Sequence, residues 1–148
     1  MRHKLEFEKI LERPEIKTWR SILQTQKVIF SVLESNLQTI GFTLPRFQIM
    51  FHLYFEGAMS PSALADRLTV SRGNITAFLR RLLNDNVVQK TAGRSESRPK
   101  YILTLRGMHD FEKIFPQHVE KVSQLVTPMS EEALKQLDAV KKNAKRFR

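Results

Sequence analysis

Between Pro14 and Ile40 the apolar residues Ile16, Trp19, Leu23, Phe30, Leu33, Leu37 and Ile40 recur at steps of three and four. That spacing predicts one long helix with an apolar stripe. Ile22 and Ile29 widen the stripe and Gln26 interrupts it, so the helix is expected to pack against more than one partner. Gly41 closes it, and Thr43 with Pro45 opens a second helix carrying Phe47, Met50, Phe51, Leu53 and Tyr54 as far as Glu56-Gly57. Serine or threonine caps free backbone N–H groups, and proline suits a first turn because its missing N–H would have no partner there. The same start signal recurs at Ser60-Pro61, ahead of Leu64, Ala65 and Leu68, and a further short helix begins at Ser71. Val87 to Thr91 and Lys100 to Leu105 read as strands around a polar turn bounded by Gly93 and Pro99. Thr104 then caps a helix to about Val126, with Phe111, Ile114, Phe115, Val119, Val122 and Leu125 on one side and Pro116 expected to kink it. Ser130 caps a last helix with Leu134, Leu137, Val140, Ala144 and Phe147 along it. The expected fold is mainly α with a small β-hairpin, in the order of four helices, hairpin and two helices; no element is assigned to the first thirteen residues, where charges alternate with apolar positions.

The two short helices at residues 60–84 are separated by almost nothing, which is the arrangement of a helix-turn-helix. Ala65 supplies the small residue where the helices approach, Val70 the apolar residue of the turn, and Ile75, Phe78, Leu79 and Leu82 the inward face of the second helix. Thr69 stands where many such turns have glycine. With Ile75, Leu79 and Leu82 turned inward, Arg72, Thr76 and Arg80 fall together on the opposite side, flanked by Gly73, Asn74 and Ala77. Arginine can grip guanine with two bonds, asparagine can do the same to adenine, and threonine can meet a thymine methyl. The small Gly73 and Ala77 let the backbone come close to base edges, and the capped N-terminus at Ser71 offers N–H groups to a phosphate. Ser60 and Arg81 complete the candidate contacts of this unit. The hairpin after it carries Lys90, Arg94, Arg98 and Lys100 against the single acid Glu96. A basic hairpin in that position is a wing.

Charge points the same way. The 148 residues hold 25 Lys and Arg against 15 Asp and Glu, a formal charge of +10 that suits a polyanionic partner. The 41% hydrophobic content is enough for a real core. No cysteine is present, which excludes disulfides, thiolate metal sites and cysteine redox sensing. No stretch has the length of a signal-peptide core or a membrane span, so no membrane partner is expected and the cytoplasm is the expected compartment.

The chain resembles the MarR family of winged helix-turn-helix transcriptional regulators. The likeness runs through LPRFQIMFHL, SALADRLTVSRGNITAFLRRLLNDNVV, YILTLRG after the wing, and IFPQHVEKVSQLVTPMSEEALKQL, and covers residues 15 to about 145. It implies three parts: residues 1–41 as an N-terminal dimerisation helix, 42–104 as the DNA-binding winged helix-turn-helix, and 105–148 as C-terminal dimerisation helices. The family pattern sets an acid two residues before a wing arginine that enters the minor groove, here Glu96 and Arg98, with Arg94 as the competing residue. It also implies a homodimer on a pseudo-palindromic operator in double-stranded DNA, and a small aromatic or anionic effector that releases a repressor.

Large apolar stripes on the first helix and the last two independently call for more cover than one chain provides. Trp19, Phe30, Phe47, Phe51 and His52, with Phe115, are the candidate liners of an effector site. His3, His109 and His118 show no metal-ligand spacing, so neither a metal nor a cofactor is expected. A winged domain used for assembly or as an architectural coat on DNA is the competing reading. Catalysis finds no support: there is no Gly-rich phosphate loop and no nucleophile, base and acid in a recognisable setting.

Overall fold

The computed structural model describes residues 2–68, 71–91 and 99–147. Among them lie α1 (Arg2–Leu11), α2 (Pro14–Gln38), α3 (Leu44–Glu56), α4 (Pro61–Leu68), α5 (Arg72–Asn84), β1 (Val88–Lys90), β2 (Tyr101–Leu103), α6 (Leu105–Val126) and α7 (Glu131–Lys145). The mainly α fold with one antiparallel hairpin is the expected one. Each predicted start is capped by the residue named for it. Thr43, Ser60, Ser71, Thr104 and Ser130 each accept, through the side-chain oxygen, the backbone N–H three residues on. Gly41 and Gly57 sit at positive φ, 78° and 79°, where a residue with a Cβ is strained.

Two features depart from the expectation. The segment left unassigned at the N-terminus is the helix α1. Its Leu5 and Phe7 are more than 60% exposed, so the apolar residues there gave no burial pattern, while the His3–Glu6 and Lys4–Glu8 pairs at helical spacing support it. The strands are shorter than read, because only Val88–Lys90 pairs with Tyr101–Leu103, in the register Val88↔Leu103 and Lys90↔Tyr101. Tyr101 also exchanges two backbone bonds with Met59, in the loop between α3 and α4, of 2.8 and 3.0 Å. That bridge ties the hairpin to the start of the helix-turn-helix. Helix α6 has the expected bounds, Leu105–Val126, with Pro116 inside it.

The core centres on α3, which contributes Leu44, Phe47, Ile49, Met50 and Leu53. Around it gather Leu33 and Leu37 of α2, Leu64 and Ala65 of α4, Ile75, Leu79 and Leu82 of α5, Val88, Tyr101 and Leu103 of the hairpin, and Phe111 and Ile114 of α6. At Gly107 the first turn of α6 crosses the chain entering β1 so closely that a Cβ would stand 2.1 Å from the Val87 carbonyl oxygen. The rest of α2 and all of α7 add nothing buried to this core. Trp19, Leu23 and Phe30 on α2 and Leu134 and Val140 on α7 are all more than two-fifths exposed.

Candidate DNA interface

Helix α5 is oriented by its buried face. Ile75, Leu79 and Leu82 are 0–2% exposed and lock it into the core beside α4, so the residues between them must point outward. Asn74, Thr76 and Arg80 are exposed, as expected, and Ala77 is half-buried at the edge of that face. Thr76 has a polar partner of its own. Gly73 is exposed with open space where a Cβ would stand. Arg72 is the first residue of α5, and its side chain lies outside the described residues, as do Thr69 and Val70 of the turn. Ser71 accepts the Asn74 N–H at 3.3 Å, which fixes the N-terminus of α5.

Two charged clamps hold this unit against α3. Arg67 of α4 donates through Nε and Nη2 to Glu56 Oε2, at 3.1 and 2.7 Å. Glu56 also meets His52 Nδ1 at 2.7 Å, and these contacts, His52 first, hold its carboxyl below the ordinary range. Arg46, at the other end of α3, donates to Asp85 at 2.8 Å just beyond α5, and its guanidinium stacks on the Phe42 ring. The ends of α4 and α5 are thereby referenced to one helix.

The remaining predicted contacts fall into three groups. Ser60 is half-buried and acts as the cap of α4. Arg81 turns away from the Thr76–Arg80 face into a cleft with Glu34, Arg46, Phe78 and Asp85. Lys90 is exposed on β1, Lys100 is half-buried and has a partner, and Arg94 and Arg98 lie outside the described residues.

Residues 42–98 match the sequence profile described as the MarR family. The fold superposes on the crystal structure of AbsC, a MarR family transcriptional regulator from Streptomyces coelicolor, with a TM-score of 0.79 and 26% identity over 88% of this chain and 91% of that one. Over residues 42–98 the chain carries the MarR family pattern. A curated relative, the HTH-type transcriptional repressor YetL of Bacillus subtilis, is 26% identical over 125 residues, which span 82% of this chain and 75% of that protein. The fold also matches a mutant MarR from E. coli complexed with operator DNA, with a TM-score of 0.73 and 20% identity over 87% and 94% of the two chains.

The candidate effector liners separate in the structure. Phe47, Phe51 and His52 come together with Phe115 on one cavity between α3 and α6. Phe30 lies instead on an apolar groove between α2 and α7, with Ile22, Ile29, Met129 and Leu137. Trp19 is 57% exposed and joins neither. His118 completes the first cavity. The sequence reading missed it, because a lone histidine on a helix carries no spacing signal. Among the described residues no helix is long and apolar enough to cross a membrane, and no group of three or more His, Asp and Glu is placed to hold a metal ion.

Proposed function

We propose that the chain acts as a homodimer that reads a pseudo-palindromic operator, each α5 lying in a major groove, and that a small effector releases it. The observation that carries this reading is the division of α5 into a fully buried face and an exposed one that presents Asn74, Thr76 and Arg80 on a chain of charge +10. Two-fold symmetry sets two such helices about 34 Å apart, one turn of duplex. The exposed stripe of α2 and the unburied α7 are apolar surface that supports dimerisation through residues 1–41 and 105–148, with 42–104 left for DNA. Lys90, Lys100, Arg94 and Arg98 serve the wing, Ser60 and Ser71 offer helix N-termini to phosphates, and DNA binding sets the chain in the cytoplasm.

Selection of bound duplexes from a random pool, followed by footprinting, tests the reading. The expected product is a discrete inverted repeat protected on two successive major grooves; protection without sequence preference would identify an architectural coat instead. On the selected site, Arg80→Ala and Asn74→Ala should each cost about 1–3 kcal/mol, with a smaller loss on random DNA. Equal losses on both would remove base reading by α5.

A further inference from the structure

The first turn of α3 is completed by a side chain from α2. A helix begins with N–H groups that have no partner inside the helix. Thr43 takes the one from Arg46, and Pro45 has none to offer. The N–H of Leu44 donates at 2.6 Å to Glu34 Oε2, ten residues earlier in the chain. The other Glu34 oxygen accepts Gln38 Nε2 at 3.0 Å, one turn further along α2, which holds the carboxylate against rotation. Leu33 and Leu37, the buried residues of α2, stand on either side of it, and the helix dipole favours a carboxylate at that end of α3. The same joint leads on to α5. Glu34 lines one cleft with Arg46, Arg81 and Asp85, and Arg46 is the residue that donates to Asp85 just beyond α5.

We infer that Glu34 is the positioning residue that fixes the α4–α5 unit relative to α2, and with it the half-site spacing that the protein accepts. The inference rests on the operator reading above and narrows it. In that reading α2 belongs to the frame shared by two protomers, and α3 carries the DNA-reading unit of one. The Glu34 carboxylate bonds the first directly to the backbone of the second, and a backbone N–H holds an angle well because it has no rotamers to lose. Helix α3 then acts as a lever. Its 13 residues run about 20 Å from this joint to Glu56, which holds Arg67 of α4. A tilt of about 10° at the joint therefore moves α4, and α5 packed against it, by about 3 Å, close to the base-pair step of about 3.4 Å.

Spin labels at two exposed positions, Lys27→Cys on α2 and Asp66→Cys on α4, test the joint in a chain that has no cysteine of its own. Labelled protein is diluted in unlabelled protein, so that the distances read lie within one chain. The distribution should be narrow with Glu34 in place and in Glu34→Gln, whose amide oxygen still accepts the N–H, and broader by about 3 Å in Glu34→Ala. On the selected duplex Glu34→Ala should bind about tenfold more weakly, the size of one charge-assisted hydrogen bond, and lose less than about twofold where the spacer is a base pair longer or shorter. Thr43→Ala removes the other cap of the same turn; it should lower the urea midpoint and leave both the width and the spacing preference unchanged. An unbroadened distribution in Glu34→Ala would overturn the inference, and equal broadening in Thr43→Ala would reduce Glu34 to an ordinary cap. Equal losses at every spacing would overturn the link to spacing. The distances are read without DNA, so the two readings fail separately. Broadening in Glu34→Ala, beside an unaltered protein that prefers no spacing, supports the joint and sinks the operator reading, whereas an unchanged width beside an intact spacing preference loses this inference alone.

Discussion

Replacing Gly107 by alanine probes the joint where the wing hands over to α6. The added Cβ would lie 2.1 Å from the Val87 carbonyl oxygen and 3.2 Å from Leu103 Cδ2, whereas ordinary contacts begin near 3.4 Å. The backbone must therefore part by more than an ångström. The same carbonyl oxygen accepts the Thr104 N–H at 3.0 Å and, at 3.2 Å, shares the Thr104 hydroxyl proton with the Asn86 carbonyl at 2.8 Å, while that hydroxyl oxygen caps α6 by accepting the Gly107 N–H at 3.0 Å. Weakening the two bonds to Val87, at about 0.5–1.5 kcal/mol each, gives a loss of about 1–3 kcal/mol. Overpacking against Leu103 adds about 1–3 kcal/mol, and the better helix propensity of alanine returns at most about 1 kcal/mol. The net expectation is a loss of about 1–6 kcal/mol, read as a lower urea midpoint at unchanged slope. A midpoint equal to that of the unaltered protein would show that α6 can slide off the hairpin without cost, and would refute the account of how the wing is anchored.

Gly73→Ala is the counterpart on open surface: with nothing near its Cβ, it should raise stability by up to about 1 kcal/mol while weakening operator binding, and tighter binding would show that α5 does not bring its backbone close to the bases. Burial lowers the pKa of His118 in the fold, so below its ordinary value of 6.5 the unfolded chain takes up more protons than the folded one. Stability should therefore hold above that pH and fall as pH drops through it, and His118→Leu should flatten that segment of a pH series of melts; a segment equally steep in the variant would assign the loss to other groups. Glu56→Gln removes the charge shared by His52 and Arg67, and should weaken operator binding with little change in global stability, since the Arg67 and Glu56 side chains are 56% and 34% exposed. Unchanged affinity would show that the Arg67 clamp does not set the position of α4.

What the sequence made legible is what local chemistry decides. Thr43, Ser60, Ser71, Thr104 and Ser130 each cap the helix they announce, because a hydroxyl three residues before a free N–H needs no distant partner to act. The inward triad Ile75, Leu79 and Leu82 followed from helical spacing alone. The failures share a cause, which is dependence on tertiary contact. Met59 bonds to Tyr101 across more than forty residues, with no periodicity to betray it. Gly107 looks like any glycine in a first turn until Val87 is brought against it. Phe30, Trp19 and Phe47 read alike as aromatic residues on helices, yet one lies on a groove, one is out in solvent, and one stacks on His118. Helix α1 escaped because none of the described residues buries its apolar side, which leaves Leu5 and Phe7 more than 60% exposed.

Helix α3 explains why these parts belong to one device. Its thirteen residues divide among four tasks by their angle around the axis. Ile49, Met50 and Leu53 fill the core beneath α5, Phe47 and Phe51 wall the cavity against α6, and the two ends carry Arg46 and Glu56, the anchors of Asp85 and Arg67. His52 belongs to both halves, lining the cavity on one side and bonding Glu56 on the other. A close-packed core does not deform gradually, so a molecule that forced α3 and α6 apart would displace α3 as a body. Because α4 and the end of α5 are referenced to opposite ends of that same helix, its displacement would reorient the unit that carries α5. A modest shift at each protomer then changes the separation of the two α5 helices in the proposed dimer, a distance that duplex DNA holds fixed at one helical turn.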